Sequence, residues 1–418
     1  MSNTRLFKKT IIATVIALSS QQALAAGFQL NSQSATGLGR AFAGDAVIAD
    51  NASSMARNPA TMALFDETSL SLGVVSITSM IEVKDAQYKP FGSDAMATSS
   101  NYDDAGATSY APNIHLVVPV NDKFAWGVNA YSNFGTKTEF GSSFVGSEYG
   151  GETEILSMNL GLAGSYRIDD KWSLGAGIDF IYGQGTLKRS LSNNLPTVGG
   201  SSIVNVDGAD GWGVGFNVGT VYEANENNRY GFAYRYSPDV DAKDGNQEIT
   251  LPLPDMAEFS GYHRIEDSKW AVHYSAQFIR WSEFDVVTLN GSTLKEYNWK
   301  NAYHLSLGTT YYLNQDWTLR AGYMFDESAQ DETTSFSVPD SDRHWFSAGF
   351  SYHINEKSDI DFGFTYLVGK DVNVSESTPN PYYGSGHPTL GSIPNLSTME
   401  GTTHADAILI GLQYSRSF

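Results

Sequence analysis

From about Ser69 to Phe418 the chain is a succession of runs in which apolar and polar residues alternate. Across 157–168, Met158, Leu160, Leu162, Gly164, Tyr166 and Ile168 fall on one side, and Ser157, Asn159, Gly161, Ala163, Ser165 and Arg167 on the other. Side chains reverse face at every strand residue, so each such run predicts a strand with one greasy face and one small or polar face. Trp172–Tyr182 and 359–368 read the same way. Six joints between runs are short and polar: Asn121–Lys123, Asp169–Lys171, Asn225–Asn228, Asp267–Lys269, Asn314–Asp316 and Asn355–Lys357. Seven are longer and rich in Gly, Ser, Asn, Asp and Pro, at about 84–108, 136–152, 189–207, 243–254, 283–294, 327–339 and 372–402. Thirteen connections join fourteen strands. Tight turns on one side and large loops on the other predict an all-β fold, a 14-stranded antiparallel transmembrane β-barrel.

A soluble multi-sheet protein is the competing reading. It leaves unexplained why Trp126, Trp172, Trp270 and Trp317 stand so soon after polar turns. In a bilayer those positions form an aromatic girdle at headgroup level. Closure also removes the exposed sheet edges that fourteen strands would otherwise present.

Residues 26–66 break the alternation. They are rich in Gly, Ala, Ser and Asn, with Phe28, Leu30, Phe42, Met55, Met62 and Phe65 as apolar anchors. Such a segment is too long for a lead-in and too short for a domain, so the expectation is an N-terminal hatch (plug) inside the lumen. A periplasmic tail is the alternative. Residues 1–25 read as a signal peptide: Arg5, Lys8 and Lys9, then apolar Ile11–Leu18, then Ala23-Leu24-Ala25 before a mature start at Ala26. The expected organisation is therefore signal peptide 1–25, hatch 26–66 and barrel 67–418, exported to the cell outer membrane.

The 418 residues carry 26 Lys plus Arg against 46 Asp plus Glu, a net charge of −20. That excess disfavours nucleic acid as a partner. With no cysteine, disulfide frameworks and thiolate chemistry are excluded. The eight histidines are scattered, none beside a Gly-x-Ser-x-Gly turn, so no catalytic residues are assigned and no enzyme is expected. No His/acid spacing suggests a transition metal, and no cofactor is implied. The acidic loops Tyr102-Asp103-Asp104 and Asp331-Glu332 suit divalent-bridged contact with lipopolysaccharide. The aromatic end at Phe418 suits the barrel-assembly machinery, and a monomer is expected because each barrel would carry its own pocket and exit.

In order along the chain stand Ala26-Gly27-Phe28-Gln29-Leu30, Gly37-Leu38-Gly39-Arg40-Ala41, Ile48-Ala49-Asp50, Arg57-Asn58-Pro59-Ala60, Pro112-Asn113, Asn133-Phe134-Gly135, Tyr311-Tyr312 and Pro339-Asp340. In this succession the sequence resembles the FadL family of outer-membrane long-chain fatty acid transporters across nearly the whole mature chain. The resemblance implies passive, ligand-gated uptake of a long-chain fatty acid or other hydrophobic small molecule. It also implies hatch rearrangement and lateral exit to outer-membrane lipid through a kink in the third strand.

By resemblance the kink falls on Asn133, Phe134 and Gly135. On the residues alone, an ordinary strand end entering a loop is the plainer reading. The head-group cations fall on Arg189 and Lys300, with Lys188 competing for the first role; a wall ion pair is the alternative for each. A carboxylate needs such cations in an apolar pocket, where charge-assisted hydrogen bonds are strong. Asn58, Pro59 and Ala60 would hold the hatch to the wall, and Phe28 would touch the ligand tail. The short loop at 189–207 implies a shallow outer groove, for which Pro381-Tyr382-Tyr383 and Leu390 could supply replacement apolar surface. Uptake of aromatic hydrocarbons on the same fold, which would need no head-group cations, is the nearest alternative; a general porin or an adhesion and phage-docking surface is further away.

Overall fold

The computed structural model describes residues 27–418 except Thr197, Glu332 and Thr389. The segment read as a signal peptide, and Ala26, lie outside the described residues. Fourteen antiparallel strands form the wall: β1 (Ser69–Pro90), β2 (Thr108–Asn121), β3 (Phe124–Glu139), β4 (Glu152–Arg167), β5 (Trp172–Ser190), β6 (Ser202–Asn225), β7 (Asn228–Tyr236), β8 (Met256–Arg264), β9 (Trp270–Ile279), β10 (Ala302–Tyr312), β11 (Trp317–Asp326), β12 (Arg343–Asn355), β13 (Ser358–Val368) and β14 (Asn395–Ser417). Each pairs with its neighbour in sequence, and β14 returns to β1 from Ser69↔Ser417 to Pro90↔Ser397. The sheet closes into a barrel. No helix among the described residues is long and apolar enough to cross a membrane, so the crossing is made by strands whose backbone groups are paired around the ring.

The alternation governs which way side chains point. Leu162, Ile178, Val214 and Leu307 face outward and remain exposed, while the intervening Asn159, Asp179, Asn217 and Ser306 are buried inside. Outward apolar side chains left bare on a closed barrel are a lipid-facing surface. Trp126, Trp172 and Trp270 are exposed just beyond the tight turns.

The long connections carry structure of their own. Hairpins form at Val240–Asp244 with Gln247–Leu251 and at Val286–Leu289 with Ser292–Glu296, and Val372–Pro379 pairs with the upper part of β14. The third strand does not stop at Gly135 as the sequence suggested. It runs four residues further, to Glu139, which puts the Asn133-Phe134-Gly135 irregularity inside the wall.

The segment from Gly27 to Phe65 fills the bore. A short helix, Ala35–Gly39, and two 3-10 turns, Ala52–Ala56 and Pro59–Leu64, begin at Ser34, Asn51 and Asn58, whose side chains accept from Gly37 N, Ser53 N and Ala60 N. These caps satisfy donors that so short a helix leaves open. Charge fixes the hatch to the wall: Asp50 receives Arg40 at 2.8 Å and Arg320 of β11 at 3.3 Å, and Arg57 reaches Glu258 of β8 at 3.3 Å. The inward glycines Gly175, Gly219, Gly322 and Gly363 lie so close to hatch atoms that a Cβ at any of them would overlap Pro59 and Ala60, Asn58, Arg40 or Ala35 respectively. The Gly-rich inner faces are the imprint of the plug.

Candidate functional site

An outer cleft of about 520 Å³ lies between the loop 140–151 and the loop 191–201. Phe140, Phe144 and Val145 give it apolar walls, and Lys188 and Arg189 form its floor. Glu148 holds the first loop down: it accepts from Tyr88 Oη and Ser397 Oγ, both at 2.6 Å, and from Ser192 N at 3.0 Å. Burial pushes the Glu148 carboxyl above the usual carboxylate range although those donors pull the other way. Tyr382 and Tyr383, expected as replacement apolar surface, stand exposed at the tip of the last loop, and Leu390 is buried there; none of the three lines the cleft.

Beneath the cleft is an apolar cavity lined by Ile155, Leu187, Ala209, Val240, Leu251 and Phe284, among others. Its free space is small, about 50 Å³, well below the ~300 Å³ at which ligand pockets begin. The cavity is closed down on its own side chains. Leu187 and Arg189 share a face of β5, so the same strand supplies an apolar wall and a guanidinium one step above it.

Arg189 donates from Nη1 to the carbonyls of Glu152 at 2.7 Å and Lys188 at 2.8 Å, and from Nη2 to Thr153 Oγ1. No carboxylate among the described residues lies within ion-pair distance of it. Lys188 points the other way and is paired with Glu152 at 3.2 Å and Asp207 at 2.9 Å. Lys300 is also directed elsewhere, half-buried and bound to Glu327 at 3.2 Å. The chain turns at Asn298, which sits in the left-handed region at φ 49°; Tyr297 and Trp299 pack into the cluster around Phe28 and leave Lys300 beside Glu327.

The cation brought near Arg189 is Lys295, on the hairpin 292–296. Its Nζ donates to Glu376 Oε1 and Ser335 Oγ, both at 2.8 Å, and lies 5.2 Å from the Tyr297 ring centre. Burial works to lower the Lys295 pKa, but Glu376 more than offsets it and leaves it above the ordinary lysine range; Arg189 opposes that rise. Sequence reasoning missed Lys295 because it stands at the edge of 283–294, which read only as a long polar connection, whereas that connection folds into a hairpin whose second strand carries Lys295.

Phe28 sits fully buried at the foot of the cavity. Its ring meets Trp281 at 4.8 Å, Phe284 at 4.9 Å, Trp299 at 5.8 Å and Phe134 at 5.9 Å between centroids. Edge-on aromatic contacts of this kind each add ~0.5–1.5 kcal/mol beyond burial. The backbone on either side joins the wall: Gly135 N donates to Phe28 O at 2.7 Å and Leu30 N to Asn133 O at 2.8 Å, with Gln29 opposite Phe134 as an antiparallel bridge. The first hatch residues thus add a short strand to β3.

This is possible because β3 bends. Its register against β4 slips between Ser132↔Met158 and Gly135↔Leu156, leaving one extra residue on β3; such a bulge bends the strand that carries it. Pairing of β3 with β2 ends at Asn113↔Tyr131, while β2 stays paired with β1 up to Thr78↔Thr108. A gap in the ladder therefore opens between β2 and β3 above Tyr131. It ends where Glu139 N donates to Ala105 O at 3.1 Å. Inside it, Ser157 Oγ donates to Asn133 Oδ1 at 2.6 Å, whereas Asn133 Nδ2 and Gln29 Oε1 have no hydrogen-bond partner among the described residues.

Further along the wall, at β6, Asn58 Nδ2 donates to Ala46 O at 2.7 Å and Thr220 O at 3.0 Å. Pro59 opens the turn whose backbone rests on Gly175. Besides its ion pairs to β8 and β11, the hatch is held by a polar anchor at Asn58 and an aromatic and backbone junction at Phe28–Gly135.

A closed membrane barrel with a folded plug, a cationic station over an apolar cavity and a gap in its ladder defines a class: an outer-membrane channel for apolar or amphiphilic solutes. Residues 16–418 match the family described as outer membrane protein transport protein (OMPP1/FadL/TodX), and the chain belongs to that family. It is 36% identical over 430 residues to the long-chain fatty acid transport protein of Escherichia coli O6:H1, covering 90% of this chain and 94% of that one. It is 33% identical over 470 residues to outer membrane protein P1 of Haemophilus influenzae, covering 99% of each. In structure it is similar to a Pseudomonas aeruginosa FadL homologue (TM-score 0.78, 23% identity, 94% of this chain and 100% of that one). It is also similar to the Ralstonia pickettii toluene transporter TbuX (TM-score 0.65, 18% identity, 92% and 98%). The protein resides in the outer membrane.

Proposed function

We propose that the protein carries long-chain fatty acids across the outer membrane without an energy source and without catalysis. The carboxylate is taken by Arg189 and Lys295, the chain by the apolar cavity and the Phe28 cluster, and exit is sideways through the gap between β2 and β3. The observation that carries this reading is Arg189, a guanidinium with no carboxylate partner among the described residues, at the top of an apolar cavity. A neutral hydrocarbon would have no use for it.

Methylene groups moved from water into the cavity are worth ~0.8 kcal/mol each, so a long chain supplies the energy to reopen a collapsed space. As the tail takes the place of the Phe28 ring, the Phe28–Gly135 junction detaches and the gap is uncovered. This is a shift between two hatch arrangements, set by the ligand's greater affinity for one of them. The protein acts as a monomer, with its loops against lipopolysaccharide and its last strand recognised by the barrel-assembly machinery.

Whole-cell uptake of oleate and of toluene by wild type and by Arg189→Ala with Lys295→Ala tests the reading. Oleate uptake should fall about tenfold or more, the effect of losing ~1.4 kcal/mol, with toluene unaffected. Toluene uptake in wild type with no oleate uptake would favour the hydrocarbon reading instead.

A further inference from the structure

Two cations and one acid meet where the hairpin 292–296 approaches β5. Lys295 and Arg189 are within electrostatic reach of each other, and both feel Glu376. Glu376 is more than a distant counter-charge. Its Oε1 accepts from Lys295 Nζ at 2.8 Å and its Oε2 from Phe336 N at 2.9 Å. The other nearby acid, Glu152, is engaged by Lys188 on the outer face. The cluster therefore has one positive charge in excess, and a carboxylate already occupies the lysine.

We propose that Glu376 is a built-in carboxylate occupying the lysine half of the head-group station, a competitor that sets how strongly the site prefers charged amphiphiles to neutral ones. This rests on the functional reading above.

The argument follows from charge and connection. An arriving carboxylate finds Arg189 open and Lys295 already bonded to a group of its own kind. It can settle only by sharing the ammonium with Glu376 or by displacing it. Sharing brings two negative charges to one donor, and like charges in a partly desolvated site repel strongly. Displacement is available to Glu376 because its strand, Val372–Pro379, pairs along one edge only, against β14. The other edge reaches the loop 327–342 through side-chain bonds, Thr334 Oγ1 to Asn373 O at 3.1 Å and the Phe336–Glu376 contact. Glu376 thus weakens the site for every anion while leaving uncharged ligands untouched. Its presence also keeps the half-buried ammonium paired when no ligand is bound, which spares a partly desolvated charge without a partner.

The experiment compares binding of oleate and of methyl oleate, which has the same tail and no charge, to purified wild type, Glu376→Gln, Glu376→Asp and Lys295→Met in detergent. Glu376→Gln should bind oleate about tenfold more tightly, with methyl oleate unchanged within about twofold; tenfold corresponds to ~1.4 kcal/mol. Glu376→Asp keeps the charge and should stay near wild type. Lys295→Met should weaken oleate alone. If Glu376→Gln shifts both ligands equally, Glu376 is a structural tie, and if it weakens oleate selectively, it assists the head group; either result overturns the proposal. Failure of wild type to bind oleate at all would instead remove the fatty acid reading beneath it. Heat-modifiable gel mobility of each variant identifies any that fails to close its barrel; should Glu376→Gln be one of them, Glu376→Ala tests the same point and should raise oleate affinity selectively.

Discussion

Gly135 donates its backbone N–H to the carbonyl of Phe28 at 2.7 Å, so the hatch's first residues act as a strand added to the bent part of β3. The same residues that interrupt the wall hold the plug. Phe28→Ala should loosen this junction, because a buried phenyl ring contributes ~3–5 kcal/mol when truncated. Hydrogen exchange at the amides of Leu30 and Gly135 should quicken by at least tenfold, with the amides of β12 and β13 unchanged. Unaltered protection at Gly135 would mean that the ring does not secure the junction.

The Asn58 anchor depends on space. A side chain at Gly219 would overlap the Asn58 amide, and overpacking of this kind typically costs ~1–3 kcal/mol. Gly219→Val should release the Asn58–Ala60 turn and make the hatch sensitive to added protease while the barrel keeps its gel mobility. Asn58→Ala, which removes a cap and two bonds to backbone carbonyls, should act in the same direction by ~1–2 kcal/mol. A protease-resistant hatch in both variants would contradict this.

The cations should be unequal. Arg189→Met is expected to weaken oleate binding about tenfold, an effect of ~1.4 kcal/mol. Lys300→Met should have less than a twofold effect, because Lys300 is spent on Glu327, and pairs so open to solvent contribute ~0–1 kcal/mol. Titration calorimetry with oleate distinguishes the two; equal losses would restore Lys300 to the site.

The outer cleft should respond to pH. Burial raises the Glu148 carboxyl above its unfolded value, so the folded loop binds its proton more tightly than the unfolded one does. The loop is therefore most stable when Glu148 is protonated and loses stability as pH rises from the ordinary carboxylate range through the raised folded value. Exchange protection at Gly146 and Ser192, corrected for intrinsic rate, should increase on mild acidification and become flat in Glu148→Gln. Protection that falls on acidification would reverse the assignment.

Much of this architecture is legible in the residues, and what is not has a physical cause. Strand number and facing follow from a period of two, which any lipid-facing wall must display, and the six tight turns follow from their Asn and Asp residues. The plug shows in the loss of alternation before Ser69 and in the small inner residues that receive it. Asn133-Phe134-Gly135 marks the kink, yet the strand continues beyond it because Thr136–Glu139 still pairs with β4. The Phe28 cage and Lys295 were out of reach. Trp281, Phe284, Tyr297 and Trp299 come together only when the Val286–Glu296 hairpin folds between them, and Lys295 reaches Glu376 because it lies on that hairpin, whereas Lys300 lies beyond it beside Glu327.

The most direct measurement uses the absence of native cysteine. Gln29 and Phe134 are bridge partners, and residues opposed in this way have Cα atoms ~4.5–5.5 Å apart, within disulfide range. In a Gln29→Cys, Phe134→Cys double variant, oxidation should pin the hatch to β3 and reduce oleate uptake to the level of cells lacking the protein. Reduction should restore it, and each single variant should ignore the oxidant. Undiminished uptake by the fully oxidised double variant would show that the cargo passes without the Phe28–Gly135 junction ever opening.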